Sequence, residues 1–280
     1  MFDIPVFNGE FGFELTVHIP FVNYLFTKNA LKSCKVTKSM EHWYAFLPSK
    51  LVVVCADQTR SRVLTNLNQY YAYVCCCRLN ATPVLSLGVH QERYDMYKPP
   101  VFKGLYKNIL PEEFEKPLLI IHNKYTTEWG GPPVNHIRVD CLKRLVESLC
   151  SDHCIVYIHP TSGTTGYTHD NQALLPYNIP NELSNKMTTI QTLMNKHKLP
   201  YNIVQLALHD QCSKFISVQG GSSRIASCFD GTNVVLHKQG SELTAGSYDG
   251  YFKQLSRVDI RVVSTEKELV DVALHAFGAR

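Results

Sequence analysis

Phe215-Ile216-Ser217-Val218-Gln219-Gly220-Gly221-Ser222-Ser223-Arg224-Ile225-Ala226 runs a strand-forming segment straight into paired glycines, paired hydroxyls and a helical pattern. A strand that ends in glycine and restarts as a helix is the βα junction from which parallel sheets are built. Glycine lets the backbone come close to a ligand, and the hydroxyls add donors beside it. At the carboxyl end of a strand, where α/β sheets take their ligands, this turn predicts a binding loop for a phosphate-bearing molecule.

Working outward, short apolar runs alternate with helical periodicity along the whole chain. In the second half, strands are expected at 118–121, 155–158, 203–206, 215–218, 234–237 and 260–263. Helices are expected at 138–149, 183–197 and 267–277, the last opened by Thr265 and Glu268 as a capping box. In the first half, 3–7 reads as a strand and Leu15, Ile19, Val22 and Phe26 fall at helical spacing, with Pro20 as a kink. The continuous run 51–55 reads as a strand covered on both faces, 60–77 as a helix and 83–87 as a buried strand. Between the halves, 94–117 carries Pro99, Pro100, Pro111 and Pro117 and reads as a linker. The expected architecture is therefore α/β: two Rossmann-like, doubly wound lobes, 1–115 and 116–280, with a cleft between them.

Composition narrows the function. The 280 residues are 45% hydrophobic and 19% charged, as in an ordinary globular protein. The net charge of +4 is small and evenly spread, which argues against nucleic acid and suits a cleft for a small anion. No apolar run approaches the roughly 18 residues that span a bilayer. Residues 1–10 hold no basic cluster, so no signal peptide is expected, and the ten cysteines read as reduced thiols in a cytoplasmic protein.

The candidate donor-binding residues all follow expected strands of the second half. Asn123 and Lys124 follow 118–121, His159 and Thr161 follow 155–158, and Gln219, Gly220, Gly221, Ser222 and Ser223 follow 215–218. His237 and Glu242 follow 234–237, where a carboxylate can accept bonds from ribose hydroxyls. A Walker loop, a Gly-x-Gly-x-x-Gly after a strand and any Asp-x-Asp are all missing from the sequence. Cys150, His153 and Cys154 lack a second ligand pair, so no metal site or cofactor is expected. In the first half, Glu10 between two glycines is the leading candidate for a general base, with Asp57 and His90 behind it.

With two expected Rossmann-like lobes and no Asp-x-Asp, the pattern resembles GT-B glycosyltransferases. The segments Asn123-Lys124-Tyr125 to Glu128-Trp129 and 215–229 are similar to those of the short exostosin-like glycosyltransferases of large algal viruses, which build capsid glycans. That resemblance implies transfer of xylose from UDP-xylose to a fucose-containing oligosaccharide, with inversion and without metal. Two other readings remain open on the residues alone: a nucleotide- or glycan-binding module without turnover, and a UDP-sugar epimerase-type enzyme.

Overall fold

The computed structural model describes residues 1–7, 9, 11–56, 98–111, 114–125, 128, 131–159, 179, 181–240, 242–243, 246–250 and 252–278. The expected helix 60–77 and strand 83–87 lie outside them.

Two parallel sheets organise the described chain. The smaller has the order β1 (Phe2–Ile4), β2 (Leu31–Thr37), β3 (Val52–Cys55). The larger holds β4 (Leu118–His122), β5 (Cys154–Ile158), β6 (Thr188–Thr189), β7 (Lys214–Val218), β8 (Gly231–Leu236) and β9 (Val258–Val263) in the order β6-β5-β4-β7-β8-β9. From β4 the chain winds outward through β5 and β6, then returns to lay β7, β8 and β9 on the other side. This is the doubly wound order, and its reversal falls between β4 and β7.

The inner strands of the larger sheet, β4, β5, β7 and β8, are buried on both faces. Ile120, Val156 and Phe215 point into one core, Leu119, Ile121 and Ile216 into the other. Helices α2 (Val139–Leu149) and α6 (Glu266–Phe277) cover the second face, and α4 (Tyr201–Gln211) packs on the first. The first core continues without a break into Ile4, Leu25, Trp43 and Tyr44 around the smaller sheet.

Several expectations need correction. The strand expected at 203–206 is the middle of α4, which is buried from Tyr201 to Asp210 and so lacks the polar face that betrays a helix. The helix expected from 183 begins only at Ile190, where Thr189 caps α3 (Ile190–His197) by accepting from Thr192 N. Val53 and Val54 of β3, expected to be covered, are 42% and 48% exposed, because β3 is the last strand of its order among the described residues. Pro20 marks a change of helix type: a π-helical turn, Glu14–His18, runs directly into α1 (Ile19–Thr27).

The segment read as a linker is anchored instead. Phe102, Tyr106 and Leu110 are buried, and the Asp210 carboxylate accepts the backbone N–H groups of Gly104 (2.5 Å) and Tyr106 (2.7 Å). Tyr106 donates its hydroxyl to His42 O and Asn202 donates to Ser39 O, tying both to the chain between β2 and β3.

Candidate functional site

Three residues just beyond the strands keep the sheet's ladder going and so fix where the loops begin. Asn123 N donates to Ile158 O, Gln219 N to Leu236 O and His237 N to Val263 O. After β7, Gly220 adopts φ 102° and ψ −144°, a backbone conformation that only glycine holds without strain. The seven-residue helix α5 (Gly221–Ser227) follows. Ser223 bonds back to Gly220 O (3.0 Å), so its hydroxyl closes the turn.

Lys124 is the first residue beyond Asn123, at the point where the strand order reverses. The Asn123 amide is fully engaged: Oδ1 accepts Lys124 N and Ile137 N, and Nδ2 donates to Ile137 O and Tyr157 OH. It therefore ties the chain at Lys124 to Ile137 and Tyr157. Lys124 Nζ pairs with Glu128 four residues on and donates to Gln219 Oε1 across the switch point (3.3 Å). Gln219 Nε2 in turn donates to Glu242 Oε1 (2.6 Å), and the same oxygen lies 3.7 Å from the Arg224 guanidinium.

The result is a continuous polar chain, Glu128–Lys124–Gln219–Glu242–Arg224, drawn from the loops after β4, β7 and β8 and from α5. Its four charged side chains are 4–16% exposed. At that burial each charge needs a partner, and each has one. Burial alone would push the Glu128 carboxyl up. The adjacent Lys124 charge and its hydrogen bonds outweigh that, helped by Asn135 and Val134 N–H, and hold it below the usual carboxylate range. Asn135 joins this loop to the one after β8, donating to Glu128 Oε2 and Gln239 O and accepting Lys238 N and Gln239 N.

His237 Nδ1 lies 2.9 Å from Tyr248 OH, and burial lowers its pKa, partly offset by Glu242. The buried Tyr248 phenol is correspondingly pushed up, first by burial and then by the Glu242 charge. His159 stands apart, beyond β5, with its ring stacked on Tyr157 and its pKa pushed down to about 4 by burial.

The N-terminal segment closes over this edge. A Cβ on Gly12 would overlap Arg224 Nη1, and a Cβ on Gly221 would touch Phe11 at 3.6 Å. The guanidinium therefore lies directly against Gly12.

Of the residues expected from sequence, Lys124, Gln219, Gly220 and Glu242 come together; His237 borders them, while Asn123 and Ser223 shape the turns that carry them. Gly221 and Ser222 open α5 beside them. Glu10, Asp57, His90 and Thr161 lie outside the described residues. Sequence reasoning missed Glu128, Asn135, Arg224 and Tyr248. Glu128 had one usable signal, its i, i+4 spacing from Lys124. The Cys150, His153, Cys154 group binds otherwise: Lys214 Nζ lies 2.7 Å from His153 Nε2. Among the described residues no group of three or more His, Cys, Asp or Glu is placed to hold a metal ion, and no helix is long and apolar enough to cross a membrane.

No family model and no curated protein matches the chain. Among solved structures it is similar to a variant of the wall teichoic acid polymerase TagF, with a TM-score of 0.31 and 9% identity over 92% of this chain and 56% of that one. Another TagF structure gives a TM-score of 0.33 and 9% identity, covering 98% of this chain and 84% of that one. The chain thus spans little more than half the length of the first of these structures.

Proposed function

We propose that the chain is a glycosyltransferase whose nucleotide-sugar donor sets its diphosphate at the carboxyl edge of the larger sheet, between β4 and β7. The observation that carries this reading is the Lys124–Gln219 contact across the switch point, with Arg224 beside it. Two cations held at the crevice where doubly wound sheets bind their ligands suit a diphosphate leaving group.

In the transfer, the acceptor hydroxyl gives its proton to a carboxylate as its oxygen attacks the anomeric carbon. The bond from that carbon to the diphosphate breaks, and the nucleoside diphosphate departs with the electron pair, its new charge stabilised by Lys124 and Arg224. Glu10 is our first assignment for the base, since the residues after it, Phe11 and Gly12, pack against α5 and Arg224. Asp57 and His90 are the alternatives. The finer assignment is UDP-xylose as donor, a fucose-containing glycan as acceptor, inversion, and no metal. It rests on the sequence resemblance and on the missing Asp-x-Asp.

The test is to melt the protein with UDP, GDP and inorganic pyrophosphate, then incubate it with a panel of nucleotide-sugars and a fucoside. UDP is expected to raise the melting temperature by a few degrees at saturating concentration, and a glycoside is expected to form. Stabilisation without product would make the chain a binding module, and a free isomer of the sugar an epimerase-type enzyme. No stabilisation by any of the three would sink the reading.

A further inference from the structure

We infer that Glu242 is an internal competitor for the diphosphate: its carboxylate occupies Arg224 and must be displaced when an anion binds. The inference rests on the diphosphate site proposed above and reverses the role that sequence position suggested, in which Glu242 helps hold the donor.

The argument begins with charge. Lys124 and Arg224 face Glu128 and Glu242, so these four described side chains are together formally neutral. A diphosphate entering a nearly solvent-excluded place of zero net charge gains little unless one carboxylate withdraws. Two unit charges of like sign about 4 Å apart repel strongly where the effective dielectric is well below that of water.

The two carboxylates are not equally able to withdraw. Glu128 is fixed: Oε2 accepts Val134 N (3.3 Å), Asn135 N (3.0 Å) and Asn135 Nδ2 (3.1 Å), while its own backbone pairs with Gly131. It serves to hold Lys124 in place. The Glu242 carboxylate is held by side chains, Gln219 at 2.6 Å and Arg224 at 3.7 Å, the second beyond hydrogen-bonding distance. Gln219 can exchange that contact for a phosphate oxygen, because its amide N–H serves either acceptor. Glu242 is therefore the group whose removal leaves Lys124 held by Glu128 and lifts the formal charge of these four side chains from zero to one positive.

The opposite role makes the opposite prediction. A carboxylate that binds ribose hydroxyls loses affinity when it is replaced by an amide, whereas a competitor gains it. Calorimetric titration of the full chain with UDP and with inorganic pyrophosphate decides between them. Glu242→Gln is expected to bind both at least about tenfold more tightly than the unsubstituted protein. Glu242→Asp, which draws the carboxylate back by one methylene, should shift affinity the same way by less, and carries the test if the amide variant does not fold. Asp3→Asn, on the exposed edge of the smaller sheet, makes the same change in net charge and is expected to leave affinity unchanged.

If the unsubstituted protein binds and the Glu242 variants bind equally or more weakly, the competitor role is overturned and the diphosphate site stands. If neither the unsubstituted protein nor any variant binds either ligand, the site assignment itself fails.

Discussion

At the scale of single residues, what decides the site is which side chains reach one another across separate loops. Gly12 illustrates it. A methyl group there would meet the far end of the Arg224 side chain, a flexible neighbour that can move aside. Gly12 sits in a helical turn, where alanine is favoured over glycine by up to about 1 kcal/mol. Gly12→Ala is therefore expected to leave the melting temperature within a few degrees of the original while weakening UDP binding several-fold, because the guanidinium is driven off its seat. Equal loss of stability and binding would show that Gly12 matters only for folding. Residues of this kind explain the limits of sequence reading. Lys124, Gln219 and Glu242 were legible because they follow strands, and position after a strand is a property of the chain. Arg224 stood in plain view inside the deciding stretch, yet its reach to Gly12 and Glu242 is a property of the folded molecule. Asn135 was invisible for the same reason: nothing local marks an asparagine that joins two loops a hundred residues apart.

At the scale of elements, legibility follows how each one is buried. Strands β4, β5, β7 and β8 lie inside a sheet covered on both faces, so their buried stretches read as largely apolar runs. Strand β9, at the end of the order, instead alternates apolar residues with the exposed Asp259 and the partly exposed Arg261. Helices α2 and α6 turn one face to solvent and show their periodicity. Helix α4 does neither. Its polar residues are buried and engaged, Asn202 with Ser39 O, Asp210 with Gly104 and Tyr106 N–H and His209 with Gln205 O. Ile203, Val204 and Leu206 therefore imitate a strand. Caps are read more securely, since they depend on neighbours in sequence. Thr265 Oγ1 accepts Glu268 N (3.2 Å), and Glu268 Oε2 accepts Thr265 N (3.1 Å), the reciprocal pair expected from the residue types alone. Thr265→Ala removes one half of it and is expected to cost about 1 kcal/mol, seen as a small drop in the urea midpoint. Because α6 lies against the second core, away from Arg224, UDP affinity should not change; a parallel loss of binding would contradict that separation.

At the scale of the whole molecule, a chain of rings joins the two sheets. Trp43 meets Phe102 (5.6 Å between centroids), Phe102 meets Phe229 (6.1 Å), Phe229 meets His209 (5.6 Å), and His209 meets His122 (5.8 Å) at the end of β4. The last two links need uncharged imidazoles. Burial pushes His209 down to about 4, with Lys103 adding to the shift and the Gln205 carbonyl opposing it. Burial also drives His122 well below its ordinary value, and His209 and His159 act in the same direction. His159 itself lies at about 4. Above the unfolded histidine value of about 6.5, these groups are neutral in both states and add no pH dependence. As the pH falls below it, the unfolded chain binds protons that the folded chain refuses until about 4, so stability drops throughout that window. The slope approaches about 1.4 kcal/mol per pH unit for each such histidine. The depressed carboxylates of Glu128 and Glu266 begin to cost stability only lower, as the pH falls below their unfolded value of about 4.3. Urea unfolding between pH 7.5 and 5 should therefore show a falling midpoint below about 6.5 and a plateau above it. His209→Phe keeps an aromatic ring against Phe215 and Phe229 but takes up no proton, so it should flatten the slope by about one histidine's share. A midpoint that stays level from pH 7.5 to 5, or a slope that the substitution leaves untouched, would mean that the junction between the sheets does not depend on neutral imidazoles.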